Sequence, residues 1–461
     1  MSATQKKLQP TLSMKDFDPE QLAAVEHACA RPWSLQVLPT GFGKSVVSLT
    51  AARQQLQAGK VTRVLVIAPL KVCKLTWATE HLKWDHLKDL DVALAIGSPA
   101  KRVAAIMSCA EIVVLNVDNV GWFFKTYGGD DIFDGLIIDE LTKFKDVGGV
   151  GYKAIRNKAK HFKWRVGLTA TPVEEALTDL YGEIMLLDDG KTFGRNKEAF
   201  LLKYFYPTDW ERRNWAPKDG TPELLVQVLV PNTFFVDRGE YEEGLPDLHV
   251  EYIMLEMPSE LTRKYKELAS CSVLGDVSAD NAAVLSGKLQ QLANGFLYDE
   301  NGVADWHDSY KLDEIITMLD ETGELGQPTI FVYTFTAQLE RLQAALPNLR
   351  VLSGSADEDV MAGWNEGRIR HIALHPKSAA HGLNLQYGGN QLVMLSPIWS
   401  ADAWHQVVGR LHRRGSPYGE INVLVCVADG SVENLMLDRV ADKREQASVF
   451  AQYMMDIKKP A

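Results

Sequence analysis

Cysteine is scarce in this chain and never closely paired: Cys29, Cys73, Cys109, Cys271 and Cys426 are scattered over 461 residues with no CxxC. An odd, dispersed set argues against a disulfide framework or a cysteine-based zinc site, and fits thiols kept reduced in a cytosolic compartment. His81, His86, His307 and His412 show no metal-ligand spacing. No apolar run approaches the ~20 residues that a membrane helix needs. The opening stretch MSATQKKLQPTLSMKDFDP has no apolar centre, so a signal peptide is not expected. Repeats and low-complexity tracts are missing. So is an excess of positive charge, the formal net charge being −11. That is awkward for a nucleic-acid partner but does not exclude one, because net charge averages over the surface and binding uses one groove. What is present, 46% hydrophobic and 24% charged residues, is the composition of a globular chain long enough for two or three domains.

The most informative stretch is Leu38-Pro39-Thr40-Gly41-Phe42-Gly43-Lys44-Ser45. An apolar run from Trp33 to Leu38 precedes it, and the periodic Val46, Val47, Leu49 and Ala52 follow. Strand, glycine loop and helix are the setting in which a Gly-Lys-Ser loop binds nucleotide phosphates. Glycines let backbone N–H groups turn onto phosphate oxygens, and the helix N-terminus adds partial positive charge. Lys44 is expected to reach the β- and γ-phosphates and Ser45 to ligate Mg²⁺. A second segment, Gly135-Leu136-Ile137-Ile138-Asp139-Glu140, is an apolar run ending in two acids, as in a buried strand with carboxylates at its C-terminal end. Asp139 is expected to hold the Mg²⁺ through water and Glu140 to polarise the attacking water.

Strand-like runs alternate with longer amphipathic stretches at 61–69, 111–117, 135–140 and 164–169, and again at 329–333, 369–374, 391–395 and 421–427. This predicts parallel α/β units in two lobes. The boundary is expected near Gly239–Asp247, where GEYEEGLPD is acidic and turn-rich. Residues 207–222, with Trp210, Arg212, Arg213 and Trp215, read as an irregular excursion, leaving both a stacking contact and a local mini-core open. The basic run at 153–163 reads more readily as a solvated helix face than as a groove. Around Arg410, the residues Trp404, Val407, Val408 and Leu411 have the i, i+3, i+4, i+7 spacing of a buried helix stripe. Gln406, Arg410 and Arg413 then share another face, and planar guanidinium donors suit a γ-phosphate.

In this order the motifs resemble a superfamily-two nucleic-acid-dependent ATPase, in the Swi/Snf-like branch of DNA translocases, over almost the whole chain. Phe17-Asp18-Pro19-Glu20-Gln21 is similar to the segment whose glutamine reads adenine. VLVIAPLKVCKLTWATEHLKW (64–84) is similar to the branch's "APL…W…E…W" segment, GLTATP (167–172) to its coupling motif, and 180–205 to its insert. AAHGLNL (379–385) resembles its "GLNL" motif, and 395–413 its stretch from "P-x-W" to the paired arginines. Leu38, Leu141-Thr142, Ala170 and Lys377 depart from the pattern.

The resemblance implies an α/β fold of two RecA-like lobes, each a mostly parallel sheet flanked by helices, with an ATP cleft between them. Lobe 1 is expected over 1–238, with the insert near 180–235. The connection and start of lobe 2 are expected over 239–310, and the arginine-finger lobe over 311–461. ATP and Mg²⁺ are the implied cofactors. Gln21, Thr40, Gly41, Gly43, Lys44 and Ser45 would bind nucleotide, with Ser45 and Asp139 on the metal. Glu140, Arg410, Arg413 and Gln406 would be catalytic. Lys71, Asn116, Lys377 and Ser378 are implied nucleic-acid contacts by motif position. The expected function is an ATP-dependent DNA translocase or helicase, monomeric, without a membrane role, in the cytoplasm of a bacterial or phage-infected cell. An RNA helicase, a motor subunit of a restriction or replication assembly, and a nucleotide-gated clamp with low turnover are the alternatives. A recruiting protein partner is left open.

Overall fold

The computed structural model describes residues 12–39, 41–128, 132–171, 173, 176–236, 245–271, 279–353, 358–379, 385–413 and 415–438. Thr40, Pro172, Arg414, positions 380–384 of the GLNL segment and positions 239–244 of the boundary stretch lie outside them. The described residues fall into two compact units, divided between Glu243 and Gly244.

The first unit is built on seven strands: β1 (Trp33–Val37), β2 (Val64–Ala68), β3 (Val92–Ala95), β4 (Ile112–Asn116), β5 (Gly135–Asp139), β6 (Trp164–Thr169) and β9 (Thr233–Phe235). Their order is β3-β4-β2-β5-β6-β1-β9. Every neighbouring pair is parallel. A parallel sheet covered on both faces needs apolar side chains at consecutive positions, which is why these strands read as unbroken runs. Leu65, Ile67, Val113, Leu115, Leu136 and Ile138 enter the core on one face. Val64, Val66, Ala68, Ile112, Val114 and Ile137 enter the core on the other. Helices α1 (Pro19–Cys29) and α2 (Lys44–Gln57) close the second core with Ala24, Val25, Ala28, Val46, Val47 and Leu49. Helix Leu180–Asp188 helps to close the first.

The expected irregular excursion contains regular structure. Strands β7 (Phe205–Pro207) and β8 (Trp215–Pro217) form an antiparallel hairpin, and a helix over Thr221–Leu229 follows. Its prolines sit at strand ends and in the helix's first turn, where a missing N–H costs little.

The second unit has six parallel strands, in the order β10-β17-β16-β13-β15-β14. They are β10 (Asp247–Leu255), β13 (Thr329–Val332), β14 (Arg350–Leu352), β15 (His371–Leu374), β16 (Gln391–Met394) and β17 (Glu420–Ala428), while β11 (Phe296–Tyr298) and β12 (Ala304–Trp306) make a small hairpin. Alternate residues again enter opposite cores: Phe331, Val393 and Cys426 in one, Ile330, Val332, Leu392 and Val425 in the other. Each unit is thus a RecA-like α/β lobe, as the motif order implies. Burial pushes the Cys426 thiol up to about 12, so it packs as a neutral apolar group.

A buried ion pair locks the second unit. Lys311 donates to both carboxylate oxygens of Glu433, at 2.9 and 2.6 Å, and the two side chains are 4% and 0% exposed. Glu433 also accepts from the Asn294 amide (3.1 Å) and the Ala428 N–H (2.7 Å). Gln338 and Ser396 complete the network by donating to the Asn294 carbonyl oxygen. Removing one partner strands a buried charge, so Glu433→Gln is expected to destabilise this unit by about 3–5 kcal/mol. The double variant Lys311→Met, Glu433→Leu should recover part of that. Urea unfolding followed by circular dichroism checks both, and equal losses in the single and double variants would show that the charge pair is not the lock.

Candidate nucleotide site

The phosphate loop leaves the C-terminal end of β1 and the acidic pair leaves that of β5. Only β6 separates these strands, so the two loops emerge two strand spacings apart, about 10 Å. The coupling motif leaves β6 in the gap. There Leu38 donates its N–H to the Thr169 carbonyl at 2.9 Å, and the Thr169 hydroxyl both accepts from the Thr171 N–H and donates to its carbonyl. Three of the predicted motifs therefore meet at the C-terminal end of the sheet, where parallel sheets bind ligands.

Loop shape follows from its glycines and from Phe42. Gly41 and Gly43 adopt φ of 87° and 90°, a region that costs L-residues. A Cβ on Gly43 would stand 2.8 Å from the Gln21 amide nitrogen. Phe42 between them is buried in the core and pins the loop from below. Gly43 caps α2, whose first residues, Lys44 and Ser45, are half-buried. The Lys44 ammonium donates to the Leu38 carbonyl at 2.9 Å. Gln21, the implied adenine reader, donates to the Phe42 carbonyl at 2.6 Å and accepts from the Asp18 N–H at 3.0 Å. Its amide braces the phosphate loop in this structure.

Asp139 is buried and takes the indole N–H of Trp77 on its carboxylate at 2.8 Å. Burial raises its pKa, opposed by the Trp77 N–H, the positive charge of Lys44 and the Glu140 N–H. The influence of Lys44 on Asp139 places the two motifs in one electrostatic site. Glu140 is half-buried and left-handed, φ 58° and ψ 60°, a conformation that costs a non-glycine residue of order 1–3 kcal/mol. The turn delivers Leu141 into a notch over β6, where a Cβ on Gly167 would stand 2.7 Å from its methyl group.

Trp77 is the residue that sequence reasoning undervalued. The seven-residue spacing of Trp77 and Trp84 among apolar neighbours favours core packing over base stacking, and Trp77 is completely buried. Its N–H nevertheless orients the carboxylate expected to hold the metal. It closes a π-helical turn, Cys73–Trp77, with Ala78 donating to the Cys73 carbonyl at 3.1 Å, and such turns gather at functional sites. The available signal was chemical: a buried indole needs an acceptor, and buried acceptors are scarce in so apolar a stretch. Farther along the same segment, Trp84 donates to Glu80 at 3.0 Å and packs edge-on against Phe17 at 4.9 Å, joining this segment to the one that carries Gln21. Cys73 is also buried, and its thiol is pushed up to about 12, so it is no nucleophile.

In the second unit the arginine helix is shorter than expected. It spans Ala401–Val408 and stops at Gly409. Arg410 and Leu411 lie in a tight turn, donating to the Val407 and Val408 carbonyls at 3.1 Å each. Trp404, Val407, Val408 and Leu411 are buried as the stripe predicted, but Arg413 lies beyond the helix and does not share a helix face with Gln406. Gln406 and Arg410 are buried and Arg413 is half-buried. His412 is hydrogen-bonded to the Pro246 carbonyl at 2.9 Å, tying the turn to the start of β10.

The implied nucleic-acid contacts divide. Lys71 is half-buried in a short helix, Leu70–Val72, after Pro69. Lys377 is exposed on helix Pro376–Ala379, and Ser378 beside it donates to the Ser353 carbonyl at 3.4 Å. Asn116 is buried at the end of β4 with its amide engaged by Asp118 and Asn119, so it shapes its loop. In the basic run, Lys153, Lys160 and Lys163 are exposed while Tyr152, Ile155, Ala159 and Phe162 are buried, as on a solvated amphipathic face.

The DEAD/DEAH box helicase family matches residues 18–180. The chain is 32% identical over 389 residues to putative protein p41 of Acyrthosiphon pisum secondary endosymbiont phage 1, covering 80% of this chain and 83% of that protein. It is 22% identical to the uncharacterized ATP-dependent helicase YqhH of Bacillus subtilis (strain 168), covering 95% of this chain and 82% of YqhH. With RNA polymerase-associated protein RapA of Actinobacillus pleuropneumoniae serotype 3 (strain JL03) it shares 21% identity over 86% of its length, and it spans 46% of RapA. The solved Sulfolobus solfataricus SWI2/SNF2 ATPase core in complex with dsDNA aligns over 97% of this chain and 96% of its own, at 19% identity and TM-score 0.45. The chain belongs to one family with the phage protein p41, and its residues 18–180 are a DEAD/DEAH box helicase domain, which makes it a nucleic-acid-dependent ATPase. Among the described residues, no helix is long and apolar enough to cross a membrane.

Trp77→Phe keeps the ring and deletes the N–H. Losing such a supporting contact to a metal ligand typically costs about 10–100-fold in metal affinity. Titrating Mg²⁺ against binding of a fluorescent nucleotide should show that rise in half-saturating Mg²⁺ with metal-free nucleotide affinity retained, while the unfolding midpoint falls because a buried carboxylate loses a donor and a fully buried side chain is truncated. Unchanged Mg²⁺ dependence would make Trp77 core filling alone.

Proposed function

We propose that this chain is an ATP-dependent DNA motor, hydrolysing ATP to translocate on DNA or unwind it. The observation that carries this reading is the meeting of the phosphate loop and the acidic pair at the C-terminal ends of β1 and β5, strands separated only by β6. Gly41, Gly43 and Lys44 would hold the phosphates. The Ser45 hydroxyl and Asp139 carboxylate are hard oxygen donors of the kind that suit Mg²⁺, which when bound neutralises charge on the phosphates. Glu140 orients the attacking water. Arg410 and Arg413 stabilise the charge that develops on the transferring phosphoryl group, with Gln406 beside them in sequence. Lys71, Lys377 and Ser378 contact backbone phosphates, which makes binding insensitive to base sequence. DNA is favoured over RNA by the Swi/Snf-like insert and inter-lobe connection.

Steady-state ATP hydrolysis with single-stranded, duplex and forked DNA and with RNA tests the reading. DNA should stimulate turnover strongly. Glu140→Gln should keep ATP binding while kcat falls by about 10²–10⁴-fold. Arg410→Lys keeps the charge and loses the planar fork, so kcat should fall with ATP affinity retained. Stimulation by RNA alone, or wild-type turnover in Glu140→Gln, would overturn the assignment.

A further inference from the structure

The hairpin of β7 and β8 holds the most exposed large apolar side chain among the described residues. Trp210 at its tip is 99% exposed. Its neighbours are not loosely held. The Asp209 carboxylate accepts the Arg213 and Asn214 N–H groups at 2.8 Å each and the Asn214 amide at 2.7 Å. Thr208 donates to the Asn214 carbonyl at 2.9 Å and closes the loop. Trp215 packs against the core of the first unit and donates its indole N–H to the Arg212 carbonyl at 2.9 Å. Arg212 itself is left-handed, φ 55°. The two tryptophans that looked equivalent in sequence therefore do opposite things: Trp215 anchors the hairpin and Trp210 is presented to solvent by it.

Several features of the tip suit a nucleobase. The segment 203–218 carries four basic and two acidic residues in a chain of net charge −11. Asp209 is occupied by the loop's own N–H groups, Glu211 pairs with Arg213 at 2.8 Å and Arg212 pairs with Glu198 at 3.3 Å, so Lys203 and Lys218 carry the hairpin's excess positive charge. The Lys218 ammonium donates to the Leu202 carbonyl at the base of the hairpin. Tyr206 on β7 adds a second ring that is about half exposed. Exposed aromatic side chains among cations are how proteins hold unpaired bases, because every base offers a π-face. An intact duplex stacks its bases on each other and leaves no face free except at an end, fork or gap.

We infer that Trp210 is a stacking platform for an unpaired DNA base, so that the hairpin seats the motor at a junction between duplex and single strand. The inference rests on the DNA-motor reading and adds the structure on which the motor acts. Its test is equilibrium binding of fluorescently labelled forked DNA, blunt duplex and single-stranded DNA to wild type, Trp210→Ala and Trp210→Phe. Trp210→Ala should weaken fork and single-strand binding by about 5- to 150-fold. Trp210→Phe should keep most of the affinity, and blunt-duplex binding should not change. The base analogue 2-aminopurine at the first unpaired position should be quenched by wild type and not by Trp210→Ala. Equal fork binding by wild type and Trp210→Ala would overturn the inference and leave a protein surface as the occupant of the tip. An equal loss on blunt duplex would overturn it as well. If wild-type ATPase responds to no DNA, the motor reading falls and this inference with it. Intact DNA stimulation with unaltered fork binding would sink this inference alone.

Discussion

A carboxylate taken out of water resists ionisation unless nearby donors and cations hold its charge. Asp139 is in that position at the end of β5, and much of the first unit's local structure is arranged to answer it. The Trp77 indole N–H comes from the segment after β2, and the charge of Lys44 comes from the loop after β1. Glu140 takes a left-handed turn immediately afterwards, so the chain leaves the strand sharply and the second acid stays partly open to solvent. Burial and strain at the C-terminal end of the sheet both cost stability. They leave the groups fixed before any ligand arrives, which is what catalysis by positioning and electrostatics requires.

The strands were legible because a sheet covered on both faces demands consecutive apolar residues, and runs such as VLVIA and IVVLN have few other uses. The loops were legible where backbone geometry restricts the residue, as at Gly41 and Gly43. Reading failed where a choice depends on one local competition or on a distant partner. The stripe Trp404, Val407, Val408 and Leu411 satisfies helical periodicity, yet the α-helix stops at Val408 and a tighter turn, with Arg410 bonded to Val407 and Leu411 to Val408, carries Leu411 into the core. Residues 205–217 lack the alternation of a hairpin and are held by Asp209 accepting from the loop's N–H groups, a geometry that composition does not reveal. The local bonds of Asn116 to Asp118 and Asn119 were likewise invisible in the motif order. Trp77 looked like core because it is core; only its acceptor shows its second role.

Lys311 and Glu433 lie 122 positions apart, and nothing in either stretch of sequence alone assigns them to one another. Their pairing joins the two stretches in one network. From it the chain runs through Ser396 to Trp399, whose indole donates to Gln290 at 3.3 Å, and then to Ser400, which caps the helix bearing Gln406. The turn after that helix is tied by His412 to the Pro246 carbonyl. The backbone of the arginine segment is thus fastened before and after.

The two polar clusters differ in a way that locates the chemistry. The Lys311–Glu433 network is wholly buried, and opposite charges meet within it at hydrogen-bond distance. Such a network specifies packing and has no access for a substrate. The cluster at the ends of β1 and β5 has a buried member, Asp139, beside half-buried Lys44, Ser45 and Glu140, with one residue held in a strained conformation. Structural networks favour completeness and relaxed backbones; reacting sites keep groups accessible and tolerate strain because a ligand finishes the arrangement. By that criterion the C-terminal ends of β1 and β5 have the character of a reacting site, and the ion pair that of a structural frame for the second unit.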